Sequence, residues 1–204
     1  MNKKGKLIVI SGPSGCGKGT ILNHFFEKYK DYPVELSISA TTREPRVGET
    51  DGVNYYYISK SEFENRIKND GFLEYATFCD NYYGTPRQEV SQKLDNGIDI
   101  ILEIEVQGAM KIYDKIPDAV MIFILPPSLE VLKNRLKGRG TETDDIIEKR
   151  IEAAKKEMLV CKNYTYVIVN EDVDECADKL YHIINAEHLK VKDNKNIIEE
   201  VCKL

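Results

Sequence analysis

The stretch Leu7-Ile8-Val9-Ile10-Ser11-Gly12-Pro13-Ser14-Gly15-Cys16-Gly17-Lys18-Gly19-Thr20 constrains this chain more than any other. An apolar, β-branched run stops at a glycine-rich turn, after which Ile21, Leu22, Phe25, Phe26 and Tyr29 recur at helical spacing. The pattern is strand, loop, helix. Gly12, four further residues, then Gly17-Lys18 is the spacing of a phosphate-binding loop (P-loop), in which backbone N–H groups close around an anion at a helix N-terminus. Glycine lets the backbone bend tightly and approach phosphate oxygens with no Cβ in the way. A glycine-rich turn without a ligand is the plain alternative, and the strand before and amphipathic helix after weigh against it.

The residues this loop offers to a nucleotide are Gly12, Pro13, Ser14, Gly15, Cys16, Gly17, Lys18, Gly19 and Thr20. Gly19 stands where Ser or Thr usually follows the lysine, so that position has no hydroxyl for Mg²⁺. Thr20 is able to bond a phosphate instead. The metal is then left to ATP oxygens, waters and carboxylates, in keeping with its reluctance to dehydrate.

With 204 residues, 42% of them hydrophobic, the chain can bury one sizeable core, with or without inserted subdomains. No apolar run approaches a membrane span. Five widely spaced cysteines without a CxxC pair argue against both a disulfide framework and a zinc site, and point to reduced thiols in the cytoplasm. The three histidines are scattered and take no assigned role. A net charge of −5 disfavours a nucleic-acid partner without excluding small anions.

Residues 37–42 read as a short strand, and 43–52 as a Pro/Gly/Asp-containing loop. Residues 55–58 and 72–78 read as strands. Between them a helix runs from a Ser59 or Ser61 cap to about Asn69. Residues 82–86 turn into a helix ending near Asn96, so 37–89 form a small β-rich insertion too polar to be buried. Residues 98–104 and 120–125 are near-continuous apolar runs, the mark of strands covered on both faces. A charged hinge over 137–145 precedes a helix capped by Thr143, and 166–169 supply a last strand before a final helix. Strands alternating with helices after a P-loop predict an α/β fold: a three-layer core whose mostly parallel sheet is flanked by helices.

Three side-chain groups carry chemistry. Arg43 and Arg46 share a loop, where planar forks suit phosphate oxygens or simply a solvated surface, and Tyr55 and Tyr83 lie near turns where a phenol can donate to phosphate. Arg135, Arg139 and Arg150 surround the hinge, either as a solvated face or as a lid bringing charge onto a transferring phosphoryl group. Glu103 and Glu105 lie at the carboxyl end of a buried strand. There they can hold Mg²⁺ through water, accept hydrogen bonds from a nucleotide, or merely meet solvent.

Taken together, Gly12-Pro13-Ser14-Gly15-x-Gly17-Lys18, Ser39-x-Thr41-Thr42-Arg43-x-Pro45-Arg46-x-Gly48-Glu49, Asn81-Tyr82-Tyr83-Gly84, Glu105-Val106-Gln107-Gly108, Arg139-Gly140-Thr141-Glu142-Thr143 and Val167-Ile168-Val169-Asn170 resemble the guanylate kinase family up to about residue 189. The resemblance implies ATP-dependent phosphorylation of GMP, with dGMP a further acceptor to test. It implies a core (1–36, 90–136, 161–204), a GMP-binding insertion (37–89) and a lid (137–160). It places Ser39, Arg43, Arg46, Tyr55, Glu74, Tyr83 and Thr85 at GMP together with Glu105, makes Lys18, Arg43, Arg135, Arg139 and Arg150 the charge stabilisers, and sets Asn170 at the adenine. Mg²⁺ accompanies ATP, with no direct protein ligand. The expected assembly is a monomer or homodimer with no membrane partner. Against an interaction module of the same fold stand the intact Lys18 and arginine set. Against a regulatory GTPase stands the lack of an Asn-Lys-x-Asp motif, and against an adenylate-type kinase the Thr41-Thr42-Arg43-x-Pro45-Arg46 loop.

Overall fold

The computed structural model describes residues 4–78, 80–138 and 143–202. The chain runs β1 (Leu7–Ser11), α1 (Lys18–Lys28), β2 (Val34–Leu36), β3 (Ala40–Thr41), β4 (Tyr56–Tyr57), α2 (Lys60–Lys68), β5 (Phe72–Phe78), β6 (Asn81–Pro86), α3 (Arg87–Asp95) and β7 (Asp99–Glu103). It continues through α4 (Val106–Lys115), β8 (Val120–Leu125), α5 (Leu129–Lys137), α6 (Asp144–Met158), β9 (Tyr166–Val169), α7 (Val173–His188) and α8 (Lys195–Cys202).

Five strands form a parallel sheet in the order β2-β7-β1-β8-β9. Alternate side chains leave it on opposite faces. Ile8, Ile10, Ile101 and Ile122 meet Leu22 and Phe25 of α1 and Leu180 and Ile184 of α7, whereas Val9, Ile100, Leu102 and Met121 meet Val90 of α3 and Ile112 of α4. Both faces being covered explains why these strands read as continuous apolar runs. A parallel strand at the centre leaves its carboxyl end, with the loop after Ser11, between β7 and β8.

Four further strands, β4-β3-β6-β5, make a second sheet, parallel only between β3 and β4. The strand expected over 37–42 divides. The Ser37 amide still follows β7, donating to Ile101 O at 2.8 Å, and only Ala40 and Thr41 join the second sheet. The segment expected to turn at 82–86 is strand β6, and Gly84 there serves packing: a Cβ would meet Phe63, Phe72 and Tyr75 at 3.0 Å. The insertion also buries more than its polarity suggests. Ala40, Phe63 and Phe72 form a core of their own, joined by Tyr56, Ile58, Ile67 and Tyr82.

Register carries one detail that matters for the site. Phe72 pairs with Pro86 and Glu74 with Thr85, so β5 has one more residue than its partner, a β-bulge. Three consecutive side chains therefore go to different places: Phe72 into the insertion core, Leu73 into the main core beside Ala109 and Ile112, and Glu74 toward the space between the sheets.

Helix α6 packs on α5 through a separate cluster of Leu132, Leu136, Ile147, Ile151 and Ala154. Ser128 caps α5 by accepting from the Val131 amide, as Ser59 caps α2 by accepting from Glu62. Thr143 occupies the N-cap of α6, but its side chain makes no capping bond, correcting the expected role. The tail past residue 190, left open by the sequence, carries the short helix α8.

Phe63 is fully buried, stacked on Phe72 at 4.2 Å and on Tyr82 at 5.1 Å between ring centroids. Phe63→Ala is expected to destabilise the protein by about 3–5 kcal/mol, read as a shift in the urea midpoint.

Candidate active site

The loop after β1 is shaped by a carbonyl it turns inward. Cys16 O accepts from Asn170 Nδ2 at 2.7 Å and from Arg135 Nη1 at 3.2 Å, while Arg135 Nη2 donates to Asn170 O at 3.1 Å. Gly17, next in sequence, sits at φ +96°, and a Cβ there would fall 2.3 Å from Asn170 Nδ2. Only glycine meets both demands. Helix α1 then starts at Lys18 with no side chain capping it, which leaves its first-turn N–H groups to an anion in the cleft. Lys18 Nζ lies over the loop, donating to Gly12 O at 2.6 Å and Pro13 O at 3.3 Å. Arg150 reaches from α6 to Ser14 Oγ at 3.0 Å. The Cys16 thiol is fully buried, and burial raises its pKa despite the Lys18 charge nearby.

From this loop a cleft of about 790 Å³ extends toward the second sheet. One wall is the end of β7 and the start of α4, where Glu103 and Glu105 line it. Glu103 is reachable by solvent through the open cleft. The protein around it nonetheless raises its carboxyl pKa, and the Lys18 charge partly reverses that. A Cβ at Gly19 would lie 3.9 Å from each Glu103 carboxylate oxygen, so the missing hydroxyl position faces a carboxylate directly. Glu157 lines the cleft from the last turn of α6. Its carboxyl pKa is raised by burial and by the Glu105 charge, with Lys18 opposing.

The far end holds Ser39, Tyr55, Tyr83 and Glu74. The bulge in β5 sets Glu74 opposite Thr85, whose hydroxyl donates to Oε1 at 2.7 Å. Glu74 is 6% exposed, and its other oxygen lies so close over Gly108 that a Cβ there would approach it to 2.8 Å. Burial raises the Glu74 pKa, offset in part by the Thr85 hydrogen bond and by Lys111 and Lys115 on α4. Arg43 stands behind Tyr55 with its guanidinium carbon 5.5 Å from the ring centroid, and Arg46 is exposed on the same loop.

The structure thus brings most of the expected residues to one cleft and sets others behind it. Asn170 is buried beneath the loop with its amide nitrogen engaged by Cys16 O, and Arg135 is held between two carbonyls. Arg139, with Gly140, Thr141 and Glu142, lies outside the described residues. Sequence reasoning missed Gly108 as a cleft residue and Glu157. The signal for Glu157 was spacing: it follows Arg150 by seven residues, two turns along the same helix face.

A parallel sheet with a P-loop on its central strand, opening into a cleft that ends at a buried carboxylate, defines a nucleotide-binding α/β protein of the phosphotransferase type. The guanylate kinase family profile matches residues 4–187. The chain is 52% identical to the guanylate kinase of Clostridioides difficile over 201 residues, covering 98% of this chain and 97% of that protein. It is 51% identical to the guanylate kinase of Caldanaerobacter subterraneus subsp. tengcongensis over 197 residues, covering 97% and 95%. The crystal structure of guanylate kinase from Anaplasma phagocytophilum matches with a TM-score of 0.73 at 33% identity, over 97% of this chain and 95% of that one. The chain belongs to the guanylate kinase family, nucleotide kinases that generally need a divalent metal.

The raised Glu74 pKa has a definite sign in stability. The folded protein holds the Glu74 proton above the unfolded value of about 4.3, so stability falls as pH rises through the window between the two values. Glu74→Gln removes that ionisation. It is expected to stabilise the protein relative to wild type at neutral pH, with the difference closing below about pH 4. Urea denaturation across pH reads this directly, and a difference that stays constant with pH contradicts it.

Proposed function

We infer that this chain transfers the γ-phosphoryl group of ATP to GMP, giving ADP and GDP. The observation that carries the acceptor's identity is buried Glu74 at the end of the cleft remote from the loop. Guanine presents N1–H and its exocyclic amine as adjacent donors to the two oxygens of a carboxylate. Adenine has an acceptor at N1 and would leave a buried charge unpaired, a mismatch that can discriminate by about 10⁴. Ser39 and Thr85 support the base edge, and Arg43, Arg46, Tyr55 and Tyr83 supply donors for the GMP phosphate. In this reading residues 37–89 carry GMP and 137–160 form a lid.

The transfer breaks the bond from the γ-phosphorus to the β–γ bridging oxygen and forms one to a GMP phosphate oxygen. That oxygen already bears charge, so no general base is needed. The loop amides hold the ATP phosphates, and Lys18, Arg135 and Arg150 place positive charge where it spreads over the transferring oxygens. Mg²⁺, arriving with ATP, would neutralise the phosphate oxygens. Gly19 offers it no hydroxyl, and Glu103, facing that position, fits the role of holding its water shell. Asn170 acts here through the loop, by fixing Cys16 O. A cytoplasmic location agrees with this substrate pair, and no described helix is long and apolar enough to cross a membrane.

An acceptor screen tests the proposal. Protein with Mg²⁺ and ATP is expected to convert GMP to GDP, with AMP poorer by about 10³ or more. Equal rates with GMP and AMP contradict it. In Glu74→Ala the preference for GMP over AMP is expected to collapse while affinity for ATP is kept.

A further inference from the structure

Glu49 belongs to the arginine loop but has no part in the reaction above. Its carboxylate gathers three donors. Oε1 takes Arg43 Nη2 at 3.0 Å, and Oε2 takes the Arg46 backbone N–H at 2.7 Å and the Tyr57 hydroxyl at 2.8 Å. The Glu49 amide in turn donates to Arg46 O at 3.0 Å. Arg43 Nη1 donates to Glu44 O at 2.8 Å, and its guanidinium lies 5.5 Å from the Tyr55 ring centroid and 5.9 Å from that of Tyr57. The guanidinium is therefore held at both ends of its fork and against two rings.

We propose that Glu49 is the positioning residue of the acceptor-phosphate clamp, presetting Arg43 and the turn carrying Arg46 so that both meet a phosphate monoester without reorganising. The proposal rests on the reading of Arg43 as a phosphate ligand. An arginine side chain has five N–H donors, and the loop bonds above engage Nη1 and Nη2 once each. Nε–H and a second hydrogen on each terminal nitrogen are shared between the ligand and the neighbouring Tyr83 and Tyr57 oxygens. A carboxylate this close to a phosphate site would ordinarily repel the ligand. Three donors on one carboxylate spread its charge and hold its pKa down at about 2, with the Arg43 bond the largest cause. Glu49 is thus ionised throughout the working range and does not act as a pH switch. What it contributes is orientation: a long side chain on an exposed loop is confined to one geometry before binding, so that ordering does not weaken the ligand's affinity.

Calorimetric titration of Glu49→Gln with GMP, guanosine and ATP, alongside wild type, tests this. GMP affinity is expected to fall about ten-fold or more, the scale on which misplaced binding groups act, with guanosine and ATP unchanged. In steady-state kinetics the KM for GMP rises more than kcat falls. GMP affinity that is unchanged or tighter overturns the proposal, and so does an equal loss for guanosine, which marks a general structural role. Tyr57→Phe removes one donor while keeping the Arg43 pair. It is expected to weaken GMP about two- to three-fold with guanosine unmoved, and unchanged GMP affinity there counts against the proposal even where Glu49→Gln folds poorly. Failure of the wild type to bind GMP at all would instead overturn the functional reading.

Discussion

The carbonyl of Cys16 is the point from which the site is built. A loop that binds anions through converging amides must hold a backbone shape that an isolated chain would not keep, since each fixed residue costs about 1–2 kcal/mol of conformational entropy. Here Asn170, just past β9, and Arg135, on α5, donate to that one carbonyl, while Gly17 leaves room for the Asn170 amide. Two elements distant in sequence thereby clamp the loop from beneath. Arg135 also brings its charge to the loop already fixed by a second bond to Asn170 O. Helix α6 packs on α5 through a cluster of its own, so the element carrying Arg150 and Glu157 is joined to the loop both by way of α5 and directly, through the bond from Arg150 to Ser14 Oγ.

How much of this was legible in the sequence depended on whether a residue's role was local. The glycine-rich loop after β1, the doubly buried strands and a serine cap on α2 are written in consecutive residues and stand where spacing put them, the cap falling to Ser59 of the two serines the sequence offers. Strand β2 was not legible, because Val34–Leu36 is three residues long and owes its state to pairing with β7. Strand β6 read as a turn because Gly84 and Pro86 look like punctuation. Gly84 is there for close packing against aromatic rings, and Pro86 ends the strand at the entry to α3. Only the family resemblance set Asn170 at the adenine; its burial under the loop could not be read without the fold.

The bulge in β5 shows why a site residue can be named from a family pattern and yet not be placed by periodicity. Strict alternation would send Phe72 and Glu74 to one face and Leu73 to the other. One extra residue in β5 breaks that parity, and Glu74 comes to face Thr85 across the strands. The same few residues join the two sheets, since Leu73 is anchored in the main core while Phe72 is anchored in the insertion. The Glu74 carboxylate, which the proposed function makes the reader of the base, is therefore positioned by both cores at once.

Two glutamates, one lining the cleft and one on the arginine loop, occupy opposite electrostatic regimes, and the contrast bears on how a chain of net charge −5 would receive the two polyanions of the proposed function. Glu74 is dry, with one hydroxyl donor, so its charge is costly until a ligand supplies further donors. Glu49 is partly buried, saturated with three donors, and ionised without a ligand. Charges beyond about 8 Å are largely screened at physiological ionic strength, so the global balance counts for little at the phosphates. In the proposed function a phosphate would meet the local set: loop amides, Lys18 and Arg150 at one end, Arg43 with its tyrosines at the other. Glu103, Glu105 and Glu157 lie between them, where a nucleotide's metal and hydroxyl groups, rather than its phosphates, would need acceptors.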